Sequence, residues 1–158
     1  MPAKSETRAV ATNKKALRDY FVQDRFEAGL VLRGSEVKSV RAGQVNLAEG
    51  YVRETRGEMW LVNAHIATYD PASRENHDPL RPRKLLLHRN EIVRLKESMK
   101  QKGLTIIPLR MYLTKGRVKI EIALARGKKK FDKRQSIAKR DSEREMARGV
   151  AARRRGGE

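Results

Sequence analysis

The feature that most constrains this chain is where its strongly apolar side chains fall. Of 35 Leu, Ile, Val and Phe residues, 32 lie in residues 1–125, and only Phe131, Ile137 and Val150 follow. A core can therefore form up to about Ala125. Residues 126–158 carry 13 Lys or Arg and 5 Asp or Glu. Such a segment buries too little apolar surface to offset its chain entropy, and it is expected to be a basic tail, disordered when free. The body in front of it fits one domain, with residues 1–12 expected as a flexible N-terminus, 13–125 as the folded part and 126–158 as the tail.

Charge identifies the class of partner. Lys plus Arg number 37 against 19 Asp plus Glu, a net of +18 with a pI near 10.7. The body holds 24 basic and 14 acidic residues, so +10 belongs to it and +8 to the tail. Both parts are built to meet a polyanion.

Several other functions find no support. There is no Cys, which excludes disulfides, thiolate zinc sites and thiol catalysis. His65, His77 and His88 lack metal-ligand spacing and a neighbouring nucleophile motif, and no P-loop or GxGxxG run occurs. The chain thus reads as a binding protein rather than an enzyme, with no metal and no cofactor. Residues 1–19 are polar and basic, without the apolar core of a secretory signal. The longest apolar run, Ala28 to Leu32, is far short of the roughly 20 residues that span a bilayer. A cytoplasmic protein with no membrane partner is expected.

Periodicity supplies the architecture. Phe26, Ala28, Leu30 and Leu32 alternate with Arg25, Glu27, Gly29 and Val31, the pattern of a strand with one buried face, so Glu27 points away from the core. Gly34-Ser35-Glu36, then Val37, Val40 and Gly43, predict a short capped helix. Residues 51–55 and 58–62 flank Arg56-Gly57, a hairpin signal, and His65 falls in an apparent strand over 61–68. Residues 70–83 contain Pro71, Pro79 and Pro82 and follow neither period, which predicts a long loop made basic by Arg74, Arg81, Arg83 and Lys84. Ile92, Leu95 and Met99 have helical spacing, with His88 at the start and Gly103 beyond the end.

A last hairpin runs from Ile107 to Leu124 around Thr114-Lys115-Gly116, with Lys119 and Glu121 facing outward; Pro108 suggests a bulge or an edge. Five or six short strands with two or three helices point to a mainly β fold, a small closed antiparallel β-barrel of OB-like topology. The densest basic run, Arg126 to Arg134, encloses Phe131 among its cations, a combination suited to phosphates and an unpaired base. A solvated charge run is the plainer reading of that segment.

Five motifs in order carry a family resemblance. Asn13-Lys14-Lys15-Ala16, Phe26-Glu27-Ala28-Gly29, the run Gly34 to Gly43, Arg83-Lys84-Leu85-Leu86-Leu87, and Gly127-Lys128-Lys129 with Asp132-Lys133-Arg134 together resemble the SmpB family of SsrA-binding proteins. The resemblance implies an OB-fold that binds the tRNA-like domain of transfer-messenger RNA (tmRNA) and escorts it to ribosomes stalled on messages without a stop codon. It also implies elongation factor Tu as the carrier of the alanyl-RNA complex, and small-subunit ribosomal RNA around a tail that enters the empty message channel.

By position the resemblance assigns Asn13, Glu27, Leu86 and Lys119 to RNA binding, and Lys128, Lys129, Phe131, Asp132, Lys133 and Arg134 to the ribosome. Glu27 is repelled by phosphate, so it must accept hydrogen bonds from a base edge or hold a nearby cation. Leu86 sits among three leucines, of which alternation turns only one or two inward, so RNA contact and core packing both stay open for it. The distal end, with Gly149 and Arg153-Arg154-Arg155-Gly156-Gly157, departs from the family's more helix-forming tail. The rival from another class is a general RNA-binding OB protein or accessory ribosomal protein without rescue activity. A monomer is expected, since no heptad seam or long apolar edge is evident.

Overall fold

The computed structural model describes residues 7–69, 76–101, 103–128 and Arg144. The chain divides into two units, Met1–Gly127 and Lys128–Glu158. Lys129, Phe131, Asp132, Lys133 and Arg134, which the resemblance assigns to the ribosome, lie outside the described residues.

The first unit is built around its last hairpin. Strands β8 (Leu104–Thr114) and β9 (Arg117–Gly127) pair along their length, from Leu104 opposite Arg126 to Thr114 opposite Arg117. Lys115 and Gly116 turn the chain with φ of 51° and 74°, the left-handed pair that a two-residue hairpin of matching twist requires. On the other edge of β9 lies β2 (Tyr20–Leu30), paired from Tyr20 opposite Gly127 to Gly29 opposite Lys119. β2 then meets β7 (Arg83–Leu86), β7 meets β5 (Glu58–Val62), and β5 forms the hairpin with β4 (Tyr51–Thr55) that Arg56-Gly57 signals. β4 returns to β8 through Val52 opposite Ile106, which closes a ring of six strands. All these pairings are antiparallel.

Leu61, Leu85, Ile106, Met111, Ile120 and Ile122 fill the inside of the ring and are fully buried. Helix α3 (Arg89–Met99) contributes Leu95 to the same core, and α2 (Gly34–Arg41) contributes Val40.

Bulges in β8 and β2 modify the simple alternation. β8 shifts register between Pro108 and Arg110, and β2 shifts between Val22 and Asp24. Pro108 lacks the N–H that a regular ladder needs, and a bulge accommodates it. The bulge that Pro108 suggests therefore lies beside it, and it divides the apolar side chains of β8 between two clusters. Met111 faces the main core, while Ile107 and Leu109 join Ala16, Ala123 and Ala125 in a second cluster. Three of those five are alanines, so helix α1 (Lys14–Asp19) can lie close against the strands.

Other expectations need correction as well. The described residues hold nine strands and three helices rather than five or six strands. Within the segment 1–12 expected to be flexible, Thr7–Thr12 form β1, which pairs with the outer edge of β8. Arg126 and Gly127 belong to β9, opposite Phe21 and Tyr20, so the folded part runs past Ala125. The single strand expected over 61–68 is broken at Asn63, whose φ is 64°; β6 (His65–Ile66) instead pairs with β3 (Val45–Asn46) in a separate two-stranded sheet.

The basic loop holds the largest departure. Arg83 is fully buried, and its Nε donates to Glu36 Oε2 at 2.6 Å. Arg81 donates to the other oxygen of the same carboxylate, and Arg83 also reaches Ala64 O at 2.6 Å. His77, expected in an open loop, is buried between Ser35 Oγ at 2.9 Å and Ile66 O at 2.8 Å. One carboxylate from α2 thus gathers the end of the loop, since a charge can be buried when it is paired and hydrogen-bonded.

Candidate nucleic-acid interface

The outward face of the ring across β7, β2, β9 and β8 gathers three of the four residues expected to bind RNA. Leu86 stands opposite Gly29, Gly29 opposite Lys119, and Lys119 opposite Tyr112. Residues directly opposite one another share a face, so these four form one row across four strands. Two residues along, Glu27, Glu121 and Arg110 form a second row on the same face.

Strand alternation explains each orientation. Leu85 is buried in the core, so its neighbour Leu86 must turn outward, and that residue is 52% exposed. Phe26 and Ala28 face the core, which leaves Glu27 exposed between them. Gly29 lets Leu86 and Lys119 flank an open floor; a Cβ there would sit 3.3 Å from Leu86 Cβ and press on it. A cavity of about 310 Å³ opens at this point, lined by Gly29, Leu86, Val118 and Lys119. Leu86 also borders a larger cavity of about 670 Å³ whose wall carries Lys84, Arg89 and Lys96.

The second row is a network of charge. Glu121 accepts from Arg25 Nη1 at 3.2 Å and lies 3.6 Å from Arg110 Nε. Arg110 also spans the Tyr112 ring, with its guanidinium 4.8 Å from the centroid. Glu27 makes no ion pair among the described residues; its Oε2 accepts the Tyr112 hydroxyl instead. Burial, and then the Glu27 carboxylate, push the Tyr112 phenol well above its ordinary value, so it stays a donor at neutral pH.

Asn13 is not brought to this face. It is 4% exposed and caps α1: its Oδ1 accepts the Ala16 N–H at 3.1 Å, while Nδ2 donates to Leu47 O at 3.2 Å and Pro108 O at 2.8 Å. The geometry makes it a structural cap, with its side chain committed to the protein. Tyr112 is the residue that motif reading overlooked. Its signal was the Arg110-x-Tyr112 pair on an alternating strand, an aromatic next to a cation on the side away from the main core.

Residues 10–152 match the family described as SmpB protein. The chain belongs to the SmpB family. A relative in Symbiobacterium thermophilum named SsrA-binding protein is 54% identical over 152 residues, 96% of each chain. Another SsrA-binding protein, from Desulforudis audaxviator, is 51% identical over 148 residues, 94% of this chain and 97% of the relative. A solved structure described as "tmRNA-SmpB: a journey to the center of the bacterial ribosome" matches with a TM-score of 0.66 at 42% identity, covering 80% of this chain and 93% of that one. In this SmpB-family chain the motif Phe26-Glu27-Ala28-Gly29 lies in β2, Gly34 to Arg41 form α2, and Arg83 to Leu86 form β7.

Proposed function

We propose that the chain binds the tRNA-like domain of tmRNA and delivers it to stalled ribosomes for trans-translation, as a binding protein rather than an enzyme. The observation that carries this reading is the convergence of Glu27, Leu86 and Lys119 on one outward face. An apolar side chain, a cation and a carboxylate around a glycine floor suit a folded RNA with exposed bases better than a bare phosphate ladder. The relatives named SsrA-binding protein and the likeness to the tmRNA-SmpB ribosome structure support the same partner.

The ring of strands is read as an OB-like closed barrel, with residues 128–158 as a second, basic element. In this reading Lys128, Lys129, Phe131, Asp132, Lys133 and Arg134 enter the empty message channel, where Phe131 stacks on a ribosomal RNA base. Elongation factor Tu brings the alanyl-RNA complex, and the protein acts as a cytoplasmic monomer. Among the described residues no helix is long and apolar enough to cross a membrane.

The test is binding to the isolated tRNA-like domain, and tagging of stalled chains, with and without residues 128–158. The shortened protein is expected to bind the RNA nearly normally and to fail in rescue. Loss of RNA binding on truncation would overturn the division between body and tail. Equal affinity for a single strand of the same length would favour a general RNA-binding protein.

A further inference from the structure

A carboxylate in an RNA interface has to be explained, because it is repelled by every phosphate around it. Glu121, on the neighbouring strand, is neutralised by Arg25 and Arg110. Glu27 makes no such pair among the described residues, yet it is exposed on the same face. What holds it is a single phenol. Tyr112 is 4% exposed, fixed under the Arg110 guanidinium, and donates its hydroxyl to Oε2 alone.

Resting on the RNA-binding reading above, we infer that Tyr112 is a positioning residue that clamps Glu27 Oε2 and so aims Oε1 outward as an acceptor for a hydrogen-bond donor of the RNA. The donor is a base N–H or a ribose 2′-hydroxyl, since a phosphate oxygen has no proton to give. Fixing one oxygen removes the side chain's rotational freedom before the RNA arrives, which lowers the ordering cost of binding. The raised phenol pKa keeps the clamp protonated through the neutral range. Tyr112 itself is too buried to be the main contact; it acts through Glu27.

The arrangement makes an unusual demand on a pair of substitutions. In Glu27→Gln the Tyr112 hydroxyl still donates to the side-chain oxygen, so the amide NH2 is turned outward. An acceptor becomes a donor facing a donor, and affinity for the tRNA-like domain is expected to fall by more than tenfold, about the worth of a charged hydrogen bond left unmade. Tyr112→Phe keeps the ring beneath Arg110 but releases the carboxylate, and a loss of about threefold to tenfold is expected. In the double variant the glutamine is free to rotate and present its oxygen, so Tyr112→Phe should restore affinity lost in Glu27→Gln.

The experiment is a double-mutant cycle on the full-length protein, with affinity for the tRNA-like domain and thermal midpoint measured for all four forms. A second arm uses RNA with 2′-deoxy substitutions: if the donor is a 2′-hydroxyl, one such substitution lowers wild-type affinity but not that of Glu27→Gln, and if it is a base N–H, none does. Recovery in the double variant supports the clamp. If Tyr112→Phe lowers the midpoint while leaving affinity unchanged in both backgrounds, Tyr112 is only structural and the inference fails. If Glu27→Gln binds as well as wild type or better, Glu27 only repels RNA and its place in the interface fails first.

Discussion

At the scale of single residues, adjacent leucines have opposite roles. Leu85 is fully buried and Leu86 is half-exposed beside Gly29. Leu85→Ala is expected to cost about 2–5 kcal/mol in urea unfolding, because it leaves a cavity in the ring. Leu86→Ala is expected to cost under ~1 kcal/mol and to weaken RNA binding instead. The leucine triplet shows that at least one member turns outward, but not which, because the phase of β7 is set by its pairing with β2 and β5. Glu36 was harder to foresee. Its partner Arg83 is 47 positions away, and both look like surface residues in a basic chain. Burial pushes the Glu36 carboxyl up, but Arg81, the Arg33 N–H and Arg83 outweigh this and hold it below its ordinary value. A lowered folded-state pKa gives stability that is fully present above the unfolded value of about 4.3 and is lost as pH falls through the folded value. Glu36→Gln should therefore cost about 3–5 kcal/mol near neutral pH, by leaving Arg83 buried without its counter-charge. The gap between the two proteins should narrow below about pH 4 in acid titrations of stability.

At the scale of elements, strands with one buried face were legible and re-phased strands were not. The β4–β5 and β8–β9 hairpins declare themselves through alternation and turn residues, and α2 and α3 through helical spacing and Gly43 or Gly103 beyond their ends. Helix α1 escaped notice because six residues give too few apolar positions for a period, and its support comes from alanines on β9 that look inert in sequence. Asn13 joins this helix to two other segments. At an ordinary N-cap Asp and Asn are nearly equivalent. Here Asn13→Asp would point a carboxylate oxygen at the Leu47 and Pro108 carbonyls in place of the Nδ2 donor. The substitution is expected to lower stability by about 2–4 kcal/mol, more than the ordinary cap penalty, as read by thermal or urea unfolding. Any loss of RNA binding in Asn13 variants should follow this loss of fold rather than a missing contact.

At the scale of the whole molecule, the division between an apolar body and a basic remainder was legible because composition changes abruptly after Ala125. The closure of the strands into a ring was legible only as a count of short strands, since pairing partners far apart in sequence leave no local mark. Those distances carry a consequence for how the protein is made. Thr7 lies opposite Thr114 and Tyr20 opposite Gly127, so the first strands to be synthesised find their partners only among the last of the body. Contacts of such long sequence separation make folding slow. Until β9 is available, β2 has a row of unpaired backbone groups and the inner face of the ring is open to water. A fragment ending at Gly116 is expected to remain unfolded and to aggregate, whereas one ending at Lys128 should fold cooperatively, a contrast that circular dichroism and sedimentation would read directly. An interruption of synthesis before β9 would therefore leave a chain that cannot complete its own fold.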